Sequence, residues 1–552
     1  MVRHLLTLAH LIISAVPCAL AFPFLLASLL AILNPGSGFG PLDLLGAWGL
    51  LAAAYGLPIL LLFPLAVAMV RFFAARPLRL TWIHLKSMVW FLVAGVGLAA
   101  ALFAWNLERG GDLISGTAAS GLATALAAVT LLWGAGTIVA ASAQMKGSGA
   151  GVPRFVLALT LLLATIPVSL LGLRHAPASI AAAPGAGGPR SRAGSVTIVA
   201  IEGASLSEIL PLIDEGRLPA LADLMQQGSH GPLATLRPCR SAAAWASLST
   251  GKFPSGHGIR DAALYRMAGV SPELRRLPEG ILLRTWLPSG WLGSRSPVAD
   301  DLLVSPAWEI LRRRPARASF ISWPLAGGES AGRKPARDEA SSWLSRIRDG
   351  LPPGHGESAI EELRGALESD GAAAREALGH LVGPAIERPK LVAVRLRGLG
   401  VVAREFAGRP PGDPVDKEDD ADALLLSRYY EILDGLVGRI RAATRAGDYT
   451  IVLSAYGHEP LPRIERVARE AVGMAPSRIG HAEGPAGIFF MAGPGIIAGR
   501  QVDDVRVTDI VPLSLYLLGL PVGRDMNGKL PRRLFSRGFL ESNPISFVAS
   551  YG

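Results

Sequence analysis

The sequence is poor in cysteine and in charge. It has two cysteines among 552 residues, Cys18 and Cys239. Cys18 lies in an apolar run, so the rest of the chain has no second thiol for a disulfide framework. Charged residues make up 18%, against roughly a quarter in a typical soluble domain. Hydrophobic residues make up 50%, which excludes a disordered chain and argues against a single ordinary soluble domain.

The apolar residues are concentrated in the first 173 positions. Five stretches there are uncharged or nearly so, and each approaches or exceeds the roughly 18–20 residues that cross a bilayer as a helix. They are Leu5–Leu33, Leu44–Val70, Ser87–Leu107, Ala118–Gln144 and Phe155–Leu173. We therefore predict a transmembrane helical region at 1–173, with the lipid bilayer as a partner. The spans carry no central ionisable residue, which disfavours a transporter.

The positive charges predict the orientation of these helices. The net charge is +10, yet Arg109 is the single basic residue in the loops of one side. The other side carries Arg3, Arg71, Arg76, Arg79, Lys86, Lys146 and Arg154. The positive-inside rule then predicts a cytoplasmic (inner) membrane protein with its N-terminus in the cytoplasm and, after five crossings, an extracytoplasmic C-terminal domain. Membrane topology accounts for the basic residues, so no nucleic acid partner is predicted.

The texture of the sequence changes after this region. Residues 174–194 are rich in Ala, Pro and Gly and predict a flexible linker. Beyond it lie short, β-branched-rich runs of the kind that form strands buried on both faces. They are SVTIVAIEG (195–203), LVAVRL (391–396), YTIVLSAYG (449–457) and GIFFMAG (487–493). Helical patterns separate them, so we predict an α/β/α domain with a mostly parallel central sheet at 195–552, with most insert or cap material at 262–390.

Motifs that follow these runs resemble a known superfamily. The most specific is RPCRSAAAWASLSTGKFPSGHGI (237–259), preceded by Glu202-Gly203 and followed by GHAEGPAGIFFMAGPGI (480–496). Together they resemble the alkaline phosphatase superfamily, in particular its type I phosphodiesterase/nucleotide pyrophosphatase branch with a sulfatase-like fold. The resemblance spans 195–552 and implies two adjacent zinc ions and a Ser or Thr nucleophile at a helix start. Ser241 matches the nucleophile, and it also suits a helix N-cap.

The resemblance implies that most metal ligands have been replaced. Glu202 matches the first aspartate and His481 the final histidine. The family's Asp-x-x-x-His motif aligns with 400–404, which puts Gly400 and Arg404 at the two ligand positions. Its Asp-His pair aligns with Ala455 and Tyr456.

Too few ligands remain for a zinc site, because catalytic zinc usually needs about three protein ligands. We therefore predict no cofactor, with zinc only if His458 or Glu405 restores a remodelled site. Arg404 carries a permanent positive charge. We expect it to pair with Glu202 or to hold an anion beside Ser241, with Tyr456 as a second ligand-binding residue.

Two residues near Ser241 have alternative interpretations. Cys239 is either a small buried residue or a reactive thiol near a helix N-terminus. His257 is motif-typical, and we expect it to bond a turn.

Three functions remain open from the sequence. The first is a membrane-anchored pseudoenzyme that binds an anionic lipid, a phosphate ester, a glycan or a membrane protein partner. The second is an active metal-dependent phosphodiesterase or phosphotransferase that uses Ser241. The third is a membrane assembly or scaffold factor in which the helices matter most. The first is favoured because of the ligand losses, and the sequence leaves open whether the chain is an enzyme.

Overall fold

The computed structural model describes residues 2–62, 65, 83–145, 194–313, 317–326, 337–349, 360–384, 387–406, 417–461, 465–467 and 479–552. The chain forms two compact units. The membrane unit comprises Met1–Ser179 together with Ala263–Ser296, and the α/β unit comprises Ile180–Ala262 and Pro297–Gly552.

The described strands and helices are numbered here in chain order. The strands are β1 (Val196–Ile201), β2 (Ser229–Ala234), β3 (Leu264–Met267), β4 (Leu292–Arg295), β5 (Ala318–Ile321), β6 (Leu391–Leu396), β7 (Tyr449–Leu453), β8 (Glu459–Pro460), β9 (Ile479–Gly480), β10 (Gly487–Ala492), β11 (Arg500–Gln501), β12 (Val505–Arg506), β13 (Val522–Gly523) and β14 (Phe547–Val548). The helices are α1 (Val2–Leu33), α2 (Pro41–Leu51), α3 (Ile83–Glu108), α4 (Gly116–Met145), α5 (Leu206–Asp214), α6 (Pro219–Gln227), α7 (Ser241–Thr250), α8 (Pro254–His257), α9 (Ala307–Arg312), α10 (Arg337–Arg348), α11 (Ile360–Val382), α12 (Gly398–Phe406), α13 (Lys417–Ala442), α14 (Ile510–Leu517) and α15 (Arg537–Ser542).

The described part of the membrane unit contains four segments long and apolar enough to cross a bilayer. They are Ala15–Leu33, Pro41–Leu62, Val89–Glu108 and Gly116–Ser142. The second includes α2 and a π-helical turn at Ala52–Gly56. They overlap the first four predicted spans. The fifth predicted span, Phe155–Leu173, and linker residues 174–193 lie outside the described residues.

Residues 263–296 fold with the membrane helices. Strands β3 and β4 pair as an antiparallel hairpin, with a 3₁₀ turn at Leu283–Ser289 before β4. Tyr265, Leu277 and Leu292 belong to the same apolar core as the helices α1 to α4. The sequence placed these residues in the insert of the α/β domain, and that placement is corrected here. Apolar side chains of the hairpin bury themselves against the helices, a contact that no local pattern encodes.

The α/β unit is built on a mixed sheet. Its strand order is β11-β2-β10-β7-β1-β6-β5, with β12 also paired to β2. Strand β1 lies between β6 and β7 and is parallel to both, whereas β10 is antiparallel to β7 and β2. The four predicted runs are thus observed as the strands β1, β6, β7 and β10. Every residue of β1, β7 and β10 is buried, which explains their continuous apolar character.

Helices bury their apolar stripes against this sheet. The stripe of α13 consists of Leu425, Tyr429, Ile432, Leu433, Leu436 and Ile440, all of them buried. Helix α11 contributes the fully buried Asp370, whose carboxylate accepts hydrogen bonds from the Gly398 amide (3.0 Å) and the Tyr429 hydroxyl (2.9 Å). This carboxylate fixes the start of α12 directly after β6.

Candidate active site

The carboxyl ends of the parallel strands bring polar side chains to one edge of the sheet. Glu202 follows β1 directly, Arg395 is the penultimate residue of β6, and Tyr456 comes three residues after β7. Ser241 opens α7 beside them. The sequence-predicted residues Glu202, Ser241 and Tyr456 therefore converge.

Tyr456 joins the other two through its hydroxyl group. The phenol donates a hydrogen bond to Glu202 Oε1 at 2.7 Å, and its oxygen lies 2.7 Å from Ser241 Oγ. A phenol has one proton to donate. Because that proton is directed at Glu202, the Ser241 hydroxyl must donate to the phenolic oxygen. The three residues form a directed chain from Ser241 through Tyr456 to the Glu202 carboxylate.

The tyrosine is held in its neutral form. Its side chain is 5% exposed. Burial, followed by the negative charge of Glu202, raises the pKa of Tyr456 well above its ordinary value. A neutral phenol can bridge the two neighbours, but it is not a base that would take the proton of Ser241.

Arg395 completes the cluster, although none of the family motifs in the sequence indicates it. Its guanidinium binds Glu202 Oε2 through Nη2 and through Nε at 3.1 Å. The same group lies 5.0 Å from the ring centre of Trp245, in cation–π geometry. A usable signal was present: an arginine near the carboxyl end of an otherwise apolar strand is costly unless it is paired.

Arg404 does not have the predicted role towards Glu202. Its side chain is exposed on α12, and the cation that binds Glu202 is Arg395. The expected Glu202–Arg404 pair is corrected accordingly. The physical reason is geometric: residue 395 lies in the strand next to β1, opposite Ala200, whereas residue 404 is on the helix that follows.

Ser241 is the first residue of α7, and Arg240 occupies the N-cap position without a side-chain cap bond. The hydroxyl of Ser241 is directed to Tyr456, so the capping role considered for it is not observed. Cys239, just before, is fully buried, and burial raises the pKa of its thiol to about 12. Of the two interpretations of Cys239, the structure therefore supports a small buried residue and not a reactive thiol.

Two positions that the resemblance assigns to metal ligands have no donor side chain. Ala455 is fully buried and offers no donor atom. At Gly400 a Cβ would lie 3.1 Å from Glu202 Cγ, so the missing side chain leaves room for the longer glutamate. His481 stacks on the ring of Tyr456, with the ring centres 4.9 Å apart.

The residues considered for rescue of a metal site point elsewhere. His458 is buried, with Nδ1 at 2.6 Å from the Gly203 carbonyl oxygen and Nε2 at 2.9 Å from Glu208. Burial lowers its pKa, but the Glu208 carboxylate and the Gly203 carbonyl outweigh this effect and raise the pKa of His458 above its ordinary value. Glu405 is exposed. His257 bonds Ser247 Oγ and the Ile259 amide, as expected of a structural residue.

The described residues do not fit the pair of zinc ions that the resemblance implies. The part of the chain with assigned positions holds no group of three or more His, Cys, Asp or Glu side chains that could bind a metal ion. Both oxygens of Glu202 are engaged, one by Tyr456 and one by Arg395. A guanidinium directly on the carboxylate also repels a divalent cation.

A family model matches this chain, and several solved structures are similar to it. The family model of type I phosphodiesterase/nucleotide pyrophosphatase matches residues 196–478, just over half of the chain. Similar solved structures include murine ectonucleotide pyrophosphatase/phosphodiesterase 5, at 13% identity and TM-score 0.39, and an inactive variant of it in complex with AMP, at 14% and 0.40. The human protein of that name gives 12% and 0.39. Each match covers 62% of this chain and 100% of the other. No curated protein sequence matches the chain.

Proposed function

Because the chain belongs to the type I phosphodiesterase/nucleotide pyrophosphatase family, we propose that it is a membrane-anchored pseudoenzyme of that family. It has lost two-zinc catalysis and uses the surroundings of Ser241 to bind an anionic ligand or a partner protein at the outer membrane face. The observation that carries this proposal is the Tyr456 hydroxyl, which bonds both Ser241 and Glu202 where the family resemblance places metal ligands.

The replacements around Glu202 support the proposal because they compensate one another. Gly400 leaves the space that the additional methylene of glutamate requires. Arg395 supplies the positive charge that the carboxylate would otherwise lack, and Tyr456 satisfies its second oxygen. Both Glu202 oxygens and the Tyr456 and Ser241 hydroxyls have protein partners without a metal, which favours a stable cluster.

An anionic ligand suits the surroundings of Ser241. The positive end of the α7 dipole lies at Ser241. Arg240 precedes it, and its Nε lies 3.8 Å from Asp261 Oδ1. A phosphate ester, an anionic lipid headgroup or an acidic glycan presents the charge that this arrangement attracts.

The membrane location is supported by the four apolar helices and by the arginines and lysines predicted to lie on the N-terminal side. Together they favour the inner membrane, with the α/β unit outside the cytoplasm.

Metal analysis combined with a hydrolysis assay tests the loss of catalysis. We expect full-length protein purified in detergent, and then dialysed against zinc, to retain less than about one tenth of a zinc ion per chain, since catalytic zinc needs about three protein ligands. Hydrolysis of a generic aryl phosphodiester should equal that of a Ser241→Ala control. Stoichiometric zinc, with hydrolysis that Ser241→Ala abolishes, would instead establish an active phosphodiesterase.

A further inference from the structure

Residues 263–296 make polar contacts with the membrane helices as well as apolar ones. We propose that this hairpin, named here the clamp, is a docking element that fastens the chain to one end of its own helical bundle, independently of the linker at 174–194. The proposal rests on contacts within the membrane unit alone. It does not depend on the function proposed for the site around Ser241.

Asn34, directly after α1, is the first fixed point. It is 1% exposed. Its Nδ2 donates to the carbonyl oxygens of Leu30 and Arg276, both at 2.8 Å. Its Oδ1 accepts the backbone N–H groups of Arg275 at 2.7 Å and Arg276 at 2.9 Å. The buried amide is fully used, and three of its four hydrogen bonds go to the clamp backbone.

Asn106, near the end of α3, repeats this arrangement. It is fully buried. Its Nδ2 donates to the carbonyl oxygens of Leu102 at 2.9 Å and Glu279 at 3.0 Å, and its Oδ1 accepts the Glu279 amide at 2.8 Å. Two asparagines at the same end of two helices thus form hydrogen bonds with the backbone of one clamp segment.

Arg276 reaches in the opposite direction, from the clamp to the helices. Only 2% of its side chain is exposed. Its guanidinium donates to the carbonyl oxygens of Arg109 (3.0 Å) and Gly110 (3.3 Å), which follow α3. It also pairs with Glu279 at 3.6 Å. A buried cation of this kind is favourable only while these acceptors stay in place.

The segment Pro41–Leu62 also contacts the clamp. Asp43 accepts the Ser271 amide at 2.7 Å, and the Tyr55 hydroxyl donates to the Ile281 carbonyl. Gly46 lies so close to Gly269 that a Cβ would be 1.8 Å from its carbonyl oxygen. Polar and steric fit therefore specify the position of the clamp, which apolar burial alone would not do.

Cleavage of the linker tests the clamp. A site for a specific protease is inserted into 174–194 of the full-length protein in membrane vesicles, and the membranes are cleaved and washed with high salt. We expect the C-terminal fragment to stay in the membrane pellet. The double variant Asn34→Leu/Asn106→Leu should release most of it. Matched controls are Thr124→Ala and Thr137→Ala, which remove hydrogen bonds within α4 but none to the clamp.

Two results would overturn the proposal. One is release of the unaltered fragment after cleavage; the other is full retention of the double variant. Hydrogen exchange of the unaltered, uncleaved protein provides a second measurement should the double variant not fold. The amides of Arg275, Arg276 and Glu279 should exchange at least about a hundredfold more slowly than in an unstructured peptide, and exchange at the unstructured rate would contradict the clamp.

Discussion

A single phenol organises the candidate site at the scale of the residue. Tyr456 stands at a position where the family resemblance implies a metal ligand, and it links Ser241 to Glu202. Arg395, from the adjacent strand, neutralises the same carboxylate. Ser241, Tyr456, Glu202 and Arg395 therefore form one hydrogen-bonded group, and loss of any member leaves buried polar atoms without these partners.

Tyr456→Phe tests this interpretation. The substitution leaves Glu202 Oε1 and Ser241 Oγ without this partner, so we expect the free energy of unfolding to fall by about 1–3 kcal/mol. Urea unfolding in detergent, followed by tryptophan fluorescence, measures it. The control is Tyr551→Phe, which loses the bond to the Pro521 carbonyl and should cost less than about 1 kcal/mol. Equal effects of the two variants would contradict the bridging role.

Asp370 predicts a pH dependence of stability. Burial raises its pKa from 3.8 to about 6, although the Tyr429 and Gly398 hydrogen bonds oppose the rise. Between about pH 4 and 6 the folded state binds more protons than the unfolded state, so this residue lowers stability as the pH rises through that window. The shift corresponds to about 3 kcal/mol. Asp370→Asn should remove this slope from urea unfolding measured across the window, and an unchanged slope would show the prediction to be wrong.

At the scale of secondary-structure elements, the junction of β6 with α12 depends on a glycine. A Cβ at Gly398 would lie 1.8 Å from the Tyr429 hydroxyl and 2.6 Å from Asp370 Oδ2. Helix α12 can therefore begin at this point only if residue 398 has no side chain. Its placement fixes Gly400 beside Glu202 and leaves Arg404 exposed.

Two glycine-to-alanine variants separate close packing from helix propensity. Gly398→Ala should destabilise the protein by about 3 kcal/mol through overpacking. Gly435→Ala, within α13, has nothing within 4 Å of the new Cβ and should stabilise by about 0.5–1 kcal/mol. Thermal unfolding of both variants gives the comparison. A neutral Gly398→Ala variant would mean that α12 moves freely at its start.

For the molecule as a whole, the clamp indicates which ends of the helices lie on the same side of the membrane. It contacts Asn34, at the end of α1, whereas Val2 begins that helix. If α1 spans the membrane, the N-terminus and the clamp lie on opposite sides of it. Together with the positive-inside rule this predicts that the clamp lies outside the cytoplasm.

Labelling with a membrane-impermeant maleimide checks this topology. In sealed, right-side-out vesicles we expect Ser271→Cys to react without permeabilisation and Val2→Cys to react only after it, since residue 271 is exposed on the clamp. The native Cys18 and Cys239 are buried and give little background. Reaction of both positions from the same side would contradict a spanning α1.

The sequence alone determined the features that depend on local composition. Apolar runs predicted the four described membrane-length segments and the strands β1, β6, β7 and β10. Burial on all sides requires an uninterrupted apolar run. Ordered motifs indicated the family and located Ser241, Glu202 and His481. They also predicted that other ligand positions have lost their donor groups.

The tertiary structure decided which of these groups meet. Arg395 rather than Arg404 binds Glu202 because the neighbours of β1 are set by strand order, which the spacing of residues along the chain does not reveal. The backbone carbonyl of Arg276 in the clamp accepts a hydrogen bond from Asn34, which lies 242 residues earlier in the sequence. Side-chain patterns report which face of an element is buried, but the partner of that face depends on the path of the whole chain.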